Sequence, residues 1–168
     1  VGCRDWLLAC AGAAGPALEG GVAKMGMRAG DGAVEHIRIE PLTGEVHCQT
    51  IGSGPPRGIC GSGLIDLMAE LYLAGLVDFR GRFRPPPGDK RFVHGKDGAA
   101  FVVTDATTCG DPVTVSQVDL DSLIRSKAAM YTILSTITRE AGIDFHEITR
   151  IHVAGSFGRH IDPEKAIT

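Results

Sequence analysis

Glycine makes up 23 of the 168 residues, and its placement constrains the fold more than its number. It gathers in three segments: Gly15-Pro16-Ala17-Leu18-Glu19-Gly20-Gly21, Gly58-Ile59-Cys60-Gly61-Ser62-Gly63 and Gly155-Ser156-Phe157-Gly158. Each stands where a loop or an apolar run gives way to a helix-forming stretch. A residue without a Cβ lets backbone approach another backbone or a ligand closely. A helix N-terminus adds unpaired N–H groups and a positive dipole end. Three such junctions point to an α/β protein whose helices start against a sheet, where ligands gather at strand-to-helix turns. The glycines follow no G-X-Y period, which excludes collagen.

The remaining pattern fits a mixed sheet flanked by helices in a single domain spanning residues 1–168. Residues 4–10 form a short apolar run that reads as a strand end, and Gly15-Pro16 suits a helix start. Residues 33–40 and 45–51 alternate around the turn residues Pro41-Leu42-Thr43-Gly44, the signature of a hairpin. The segment 58–63 opens a helix on which Leu64, Leu67, Met68, Leu71 and Tyr72 share a face. Residues 79–100, with Pro85-Pro86-Pro87-Gly88, read as an irregular surface loop, and 101–104 as a short buried strand. The strongest helix expectation covers 119–141, where Leu120, Leu123, Ile124, Lys127, Tyr131, Leu134 and Ile137 trace one stripe and Gly142 supplies the stop. Asp144 and Glu147 suit a capping box. Residues 148–154 read as a strand carrying Ile151 and Val153. Asp162-Pro163-Glu164 starts a last helix. With no Met at the start and no stop after this helix, the chain is expected to be a fragment at both ends.

Several function classes are excluded. Seventeen basic residues face 20 acidic ones for a formal charge of −3, without the basic stripe a nucleic-acid binder needs. The longest uncharged stretch, residues 6–18, is shorter than the ~20 residues a membrane-crossing helix requires. The five cysteines contain no C-x-x-C pair, and the six histidines are scattered, so no metal site is indicated. Reduced, mostly buried thiols in a cytoplasmic protein are expected. There is no Gly-x-x-x-x-Gly-Lys-Ser/Thr loop and no dinucleotide fingerprint. Ser126 and Ser156 lack the partners of a nucleophilic triad.

Five places remain where chemistry could sit. Glu19 could accept hydrogen bonds from a ribose or hold a Mg²⁺-bound water, or it could cap local backbone. Gly61, Ser62 and Gly63 could admit a ligand or allow close helix packing. Asp66, in an apolar helix pattern, suits packing or capping better than catalysis. Lys127, on the apolar stripe, could snorkel or meet a phosphate. Gly155, Ser156, Phe157 and Gly158, after an apolar run, favour a ligand turn.

Taken together, these residues resemble one family. Asp5-Trp6-Leu7-Leu8-Ala9-Cys10 leading into Ala14-Gly15-Pro16-Ala17-Leu18-Glu19-Gly20-Gly21 and Gly26-Met27-Arg28-Ala29, then Gly58 to Asp66, Ile124-Arg125-Ser126-Lys127-Ala128-Ala129, and Ile151-His152-Val153-Ala154-Gly155-Ser156-Phe157-Gly158, look like the C-terminal domain of reductive activators of corrinoid proteins. The resemblance runs in order along nearly the whole chain.

That resemblance implies the ATPase fold shared by acetate and sugar kinases, heat-shock chaperones and actin (ASKHA). Two RNase H-like lobes close over a nucleotide, and this chain would supply most of the second. It implies ATP or ADP with Mg²⁺ as ligand and a corrinoid protein or corrinoid methyltransferase as partner, and it leaves a homodimer open. The parent reaction would be ATP-driven reduction of cob(II)alamin to cob(I)alamin, with a ferredoxin-type 2Fe-2S module in a region absent here. The nucleotide-binding set implied is Gly15, Glu19, Gly20, Gly21, Gly61, Ser62, Gly63, Lys127, Gly155, Ser156, Phe157 and Gly158. Departures are clear: no Asp-x-Gly-Thr phosphate motif occurs, the second of these being expected just before Val1, and Ser156 replaces a usual glycine. Alone, the chain is therefore not expected to hydrolyse ATP. Another ASKHA ATPase, either a kinase or a dehydratase activator, and a non-catalytic interaction module are the alternatives.

Overall fold

The computed structural model describes residues 1–12, 19, 23–52, 54–96, 98–105, 112–152, 154–155, 158 and 160–168. The expected hairpin is present as β1 (Ala33–Ile39) and β2 (Val46–Thr50), antiparallel, with Ile37 opposite Cys48 and Ile39 opposite Val46. An irregularity between Val34 and His36 shifts the register. The two-residue β3 (Gly58–Ile59) adds in parallel to Ala33 and Val34, giving a mixed sheet ordered β2-β1-β3.

Helix α1 (Gly61–Leu73) follows at once and packs on β1. The close fit rests on Gly63, where a Cβ would stand 2.3 Å from the Val34 carbonyl oxygen. Leu64, Leu67 and Leu71 of α1 meet Val34, Ile37 and Ile39 of β1 in one buried cluster, the expected product of a helical stripe laid on the apolar face of a strand.

A second sheet is an antiparallel meander of β4 (Phe92–Gly95), β5 (Gly98–Thr104) and β6 (Val113–Ser116). This corrects the sequence reading, which placed a strand only over 101–104. β4 and β6 are four residues each, too short for alternation to declare itself. Phe83, Phe92 and Phe101 join the sheet's face edge-to-face, with successive centroids 5.3 Å apart, and Phe101, Val103, Val113 and Val115 complete the core.

Helix α2 (Gln117–Glu140) begins two residues earlier than expected. Ser116 caps it: its hydroxyl accepts from the Asp119 N–H, and the Asp119 carboxylate accepts from the Ser116 N–H. The sequence hid this box because aspartate stands where glutamate or glutamine is usual. At the other end Gly142 N–H donates to Arg139 O and Ile143 N–H to Thr138 O, the Schellman closure. The apolar stripe of α2 is buried at Leu120, Leu123 and Ile137, yet Met130, Tyr131 and Leu134 are exposed between them. A single 3₁₀ turn, Phe145–Glu147, carries the expected Asp144 capping box. Helix α3 (Pro163–Ile167) starts as expected, with Asp162 as its cap.

Two expected strands do not form among the described residues. Residues 1–8 fold into a tight turn closed by Gly2 opposite Leu7, with Leu7 81% exposed. Among the described residues of 148–154 no ladder forms, and Ile151 is 78% exposed. The alternation is in the sequence, but a strand needs a partner to pair with. The helix start at Gly15-Pro16 lies outside the described residues.

Candidate functional site

The three helices enclose a cavity of about 590 Å³, within the range of small-molecule pockets. α1 supplies Met68 and Tyr72, α2 supplies Lys127 and Met130, the loop after α1 supplies Phe79, and the C-terminal segment supplies Lys165. The walls are apolar and include two flexible thioethers, which adapt to planar ligands. Polarity is confined to a few groups. Lys127 is exposed at the cavity, and no hydrogen bond or ion pair binds it among the described residues.

The loop wall is held rigidly. Asp78 accepts the N–H groups of Arg80 and Arg82, each at 2.9 Å, and pairs with the Arg84 guanidinium at 3.0 Å. The Arg82 backbone contact above all, helped by Arg84, keeps the Asp78 carboxyl below its ordinary value. Gln117 braces the same loop from α2, accepting from Phe83 N–H at 2.9 Å and donating to Gly81 O at 2.8 Å.

The sequence-predicted residues divide. Lys127 lies at the cavity. Gly155 is exposed with φ +117°, a conformation natural to glycine, and no atom lies within 4 Å of where its Cβ would be. Gly158 is half-buried, and the chain continues from it into Ile161, a cavity residue. Gly61, Ser62 and Gly63 are buried at the start of α1 and do not line the cavity. There Gly63 seats the helix, and the Ser62 hydroxyl donates to Glu35 O at 3.1 Å. Glu19 is half-buried. Gly15, Gly20, Gly21, Ser156 and Phe157 lie outside the described residues.

Asp66 has the packing role expected of it, within a cluster the sequence did not reveal. It is 1% exposed, and its Oδ2 accepts from the Ile37 N–H at 3.2 Å and lies 3.1 Å from His36 Nδ1. Glu70, one turn on, accepts from the Ile39 N–H at 2.7 Å. The two carboxylates thus replace a neighbouring strand along β1 beyond the short β3. Lys165 closes the cluster, 3.3 Å from Asp66 Oδ2 and 3.2 Å from Glu70 Oε1. The available signal was a pair of acids four apart on an apolar helix face, which demands buried donors.

The thiols also differ from expectation. Of the four described, Cys3 and Cys10 are exposed, Cys48 is intermediate and only Cys60 is buried. Burial pushes the Cys48 thiol up to about 11. Among the described residues no three His, Cys, Asp or Glu side chains are placed to hold a metal ion, and no helix is long and apolar enough to cross a membrane.

Comparison with known proteins bears on the family and the fold. A corrinoid activation enzyme, RamQ, from Eubacterium limosum is 33% identical over 175 residues, covering 99% of this chain and 29% of that protein. A solved structure described as a reductive activator for a corrinoid, iron-sulfur protein superposes with a TM-score of 0.90 at 39% identity, over 99% of this chain and 27% of its own. The chain therefore spans less than a third of either relative. The family described as the C-terminal domain of RACo, the ASKHA domain, matches residues 1–168 throughout, and the chain belongs to it.

Proposed function

We propose that this chain is the second, nucleotide-gripping lobe of an ATP-dependent activator that reduces a corrinoid protein from cob(II)alamin to cob(I)alamin. Family membership and the two relatives support the activator role. The observation that carries the nucleotide reading is the cavity itself. It combines an apolar interior sized for a planar base with a lysine, Lys127, that has no partner among the described residues. The base lies against Met68, Tyr72 and Met130, and the Lys127 ammonium meets an anionic oxygen of the same ligand. By resemblance to the family, Gly15, Glu19, Gly20, Gly21, Gly155, Ser156, Phe157 and Gly158 are assigned as further contacts of the nucleotide. Gly61, Ser62 and Gly63 contribute indirectly, by fixing α1 against β1.

The residues of this chain bind and close; none is needed as acid, base or nucleophile. No Asp-x-Gly-Thr motif is present, so no metal ligand is assigned within the chain. The described cysteines do not fit an iron–sulfur cluster: Cys60 donates to Val34 O at 3.4 Å inside the core, and among the described residues no three His, Cys, Asp or Glu side chains are brought together to hold a metal ion. No electron-transfer step is therefore assigned to these residues. Their contribution is a coupling free energy: nucleotide binding favours one arrangement of the lobes, and the corrinoid partner senses it.

Calorimetric titration of Mg-ADP into the natural polypeptide that carries this chain tests the reading. Lys127→Glu should weaken binding about tenfold or more with an unchanged thermal midpoint, because Lys127 is exposed. Gly155→Val should weaken it too, by forcing the turn out of its positive-φ conformation. Unaltered affinity in both variants, or no binding by the natural protein, overturns the nucleotide reading.

A further inference from the structure

Lys165 reaches from α3 into the cluster on β1 and α1. Its Nζ lies 2.6 Å from Ile37 O, 3.3 Å from Asp66 Oδ2 and 3.2 Å from Glu70 Oε1. The ammonium donates to Ile37 O and Asp66 Oδ2 and forms an ion pair with Glu70. The side chain is 19% exposed, while Ile167, two residues on, is 83% exposed. The neighbour of α3 is α1, and the same segment gives the cavity Ile161, Lys165, Ala166 and Thr168.

We infer that Lys165 is a positioning residue: it bolts α3 into a socket on β1 and α1, and so sets one wall of the nucleotide cavity. Docking of residues 161–168 and occupancy of the cavity are then linked equilibria. The identity of the cavity's ligand rests on the nucleotide reading; the bolt rests on the geometry of the socket.

The socket exists independently of its lysine. The N–H groups of Ile37 and Ile39 already fix the Asp66 and Glu70 carboxylates, and His36 Nδ1 adds a contact to Asp66. Withdrawing Lys165 leaves two acids on successive turns of α1 without their cation, and with Ile37 O deprived of a donor. An uncompensated buried charge is strongly unfavourable, so the docked state is preferred. The preference is electrostatic, however, and no residue of α3 belongs to the buried core, so undocking does not require the core to open. A ligand that touches α1, α2 and the 161–168 segment together binds only the docked arrangement and draws the population towards it.

Millisecond hydrogen–deuterium exchange on the natural polypeptide tests this, with and without Mg-ADP, read at the Ala166 and Thr168 amides, which donate to Asp162 O and Glu164 O. Mg-ADP should slow these amides in the natural protein. Lys165→Met should speed them about tenfold and weaken Mg-ADP by a similar factor, with protection in β1 and α2 retained. Lys165→Met combined with Glu70→Gln removes one of the two stranded charges without restoring the bolt. It should recover thermal stability but keep fast α3 exchange and weak binding, which a merely structural lysine would not do. Natural exchange at α3 in Lys165→Met overturns the bolt, and faster exchange with unaltered affinity overturns the linkage. If the natural protein binds no Mg-ADP, the nucleotide reading and the linkage fail together, while α3 exchange still decides the bolt by itself.

Discussion

Asp66 Oδ2 and Lys165 Nζ lie 3.3 Å apart, although the two residues are 99 positions apart in the chain. The same oxygen accepts from the Ile37 N–H and contacts His36, whereas Oδ1 is buried with no partner among the described residues. All of this carboxylate's recognised bonding passes through one atom.

Asp66→Ala should therefore cost about 3 kcal/mol, because it strands a buried N–H and weakens the hold on Lys165. Asp66→Asn keeps an acceptor oxygen and should cost less, though it gives up the charge that faces Lys165. Urea midpoints of the two variants check the order. Equal midpoints for Asp66→Ala and the natural protein would show that the cluster is not a stabilising element.

Gly63→Ala should be among the most damaging single-methyl changes available. Its Cβ would meet Val34 O at 2.3 Å and Ile59 Cγ2 at 2.8 Å, and neither backbone nor core can yield cheaply. A loss of about 3 kcal/mol is expected. Gly95→Ala is the control: nothing lies within 4 Å of the new methyl group, and a change within about 0.5 kcal/mol is expected.

Thiol labelling should separate the four described cysteines. Cys3 and Cys10 are exposed and should react first at pH 8, Cys48 slowly and Cys60 only on unfolding. Since burial raises Cys48 to about 11 from 9.0, the unfolded chain loses this proton first as pH rises. Stability therefore falls above pH 9, and Cys48→Ala should flatten that alkaline limb. Mass spectrometry after timed alkylation reads the order directly; early modification of Cys48 would contradict its placement.

Asp78 supplies the acid counterpart. Its carboxyl is lowered from 3.8, first by the Arg82 N–H and then by Arg84 and the Arg80 N–H, so its stabilising contribution is present above 3.8 and is lost as pH falls through its folded value. Asp78→Asn should reduce the acid sensitivity of the 78–84 loop, which forms one wall of the cavity. Tryptic cleavage after Arg80, Arg82 and Arg84 following brief acid exposure measures it; identical cleavage in both proteins would remove Asp78 as the cause.

What the sequence determined by itself was local. The hairpin, α1, most of α2, the Asp144 box and the start of α3 follow from periodicity and capping, which act over a few residues. Residue type and position likewise singled out Lys127 and Gly155 as candidates, and their ligand role is part of the proposal above. Tertiary structure decided the rest. β4 and β6 are too short to show a period, and they became strands by pairing with β5. Residues 148–154 carry the alternation of a strand but no ladder among the described residues, since pattern proposes a strand and only a neighbour makes one. Whether Gly61 to Gly63 faced a ligand or a strand turned on the 2.3 Å approach to Val34 O. The socket of Asp66, Glu70 and Lys165 had no local signal joining its members, because a contact across 99 residues is created when β1, α1 and α3 pack, and no spacing rule reaches that far.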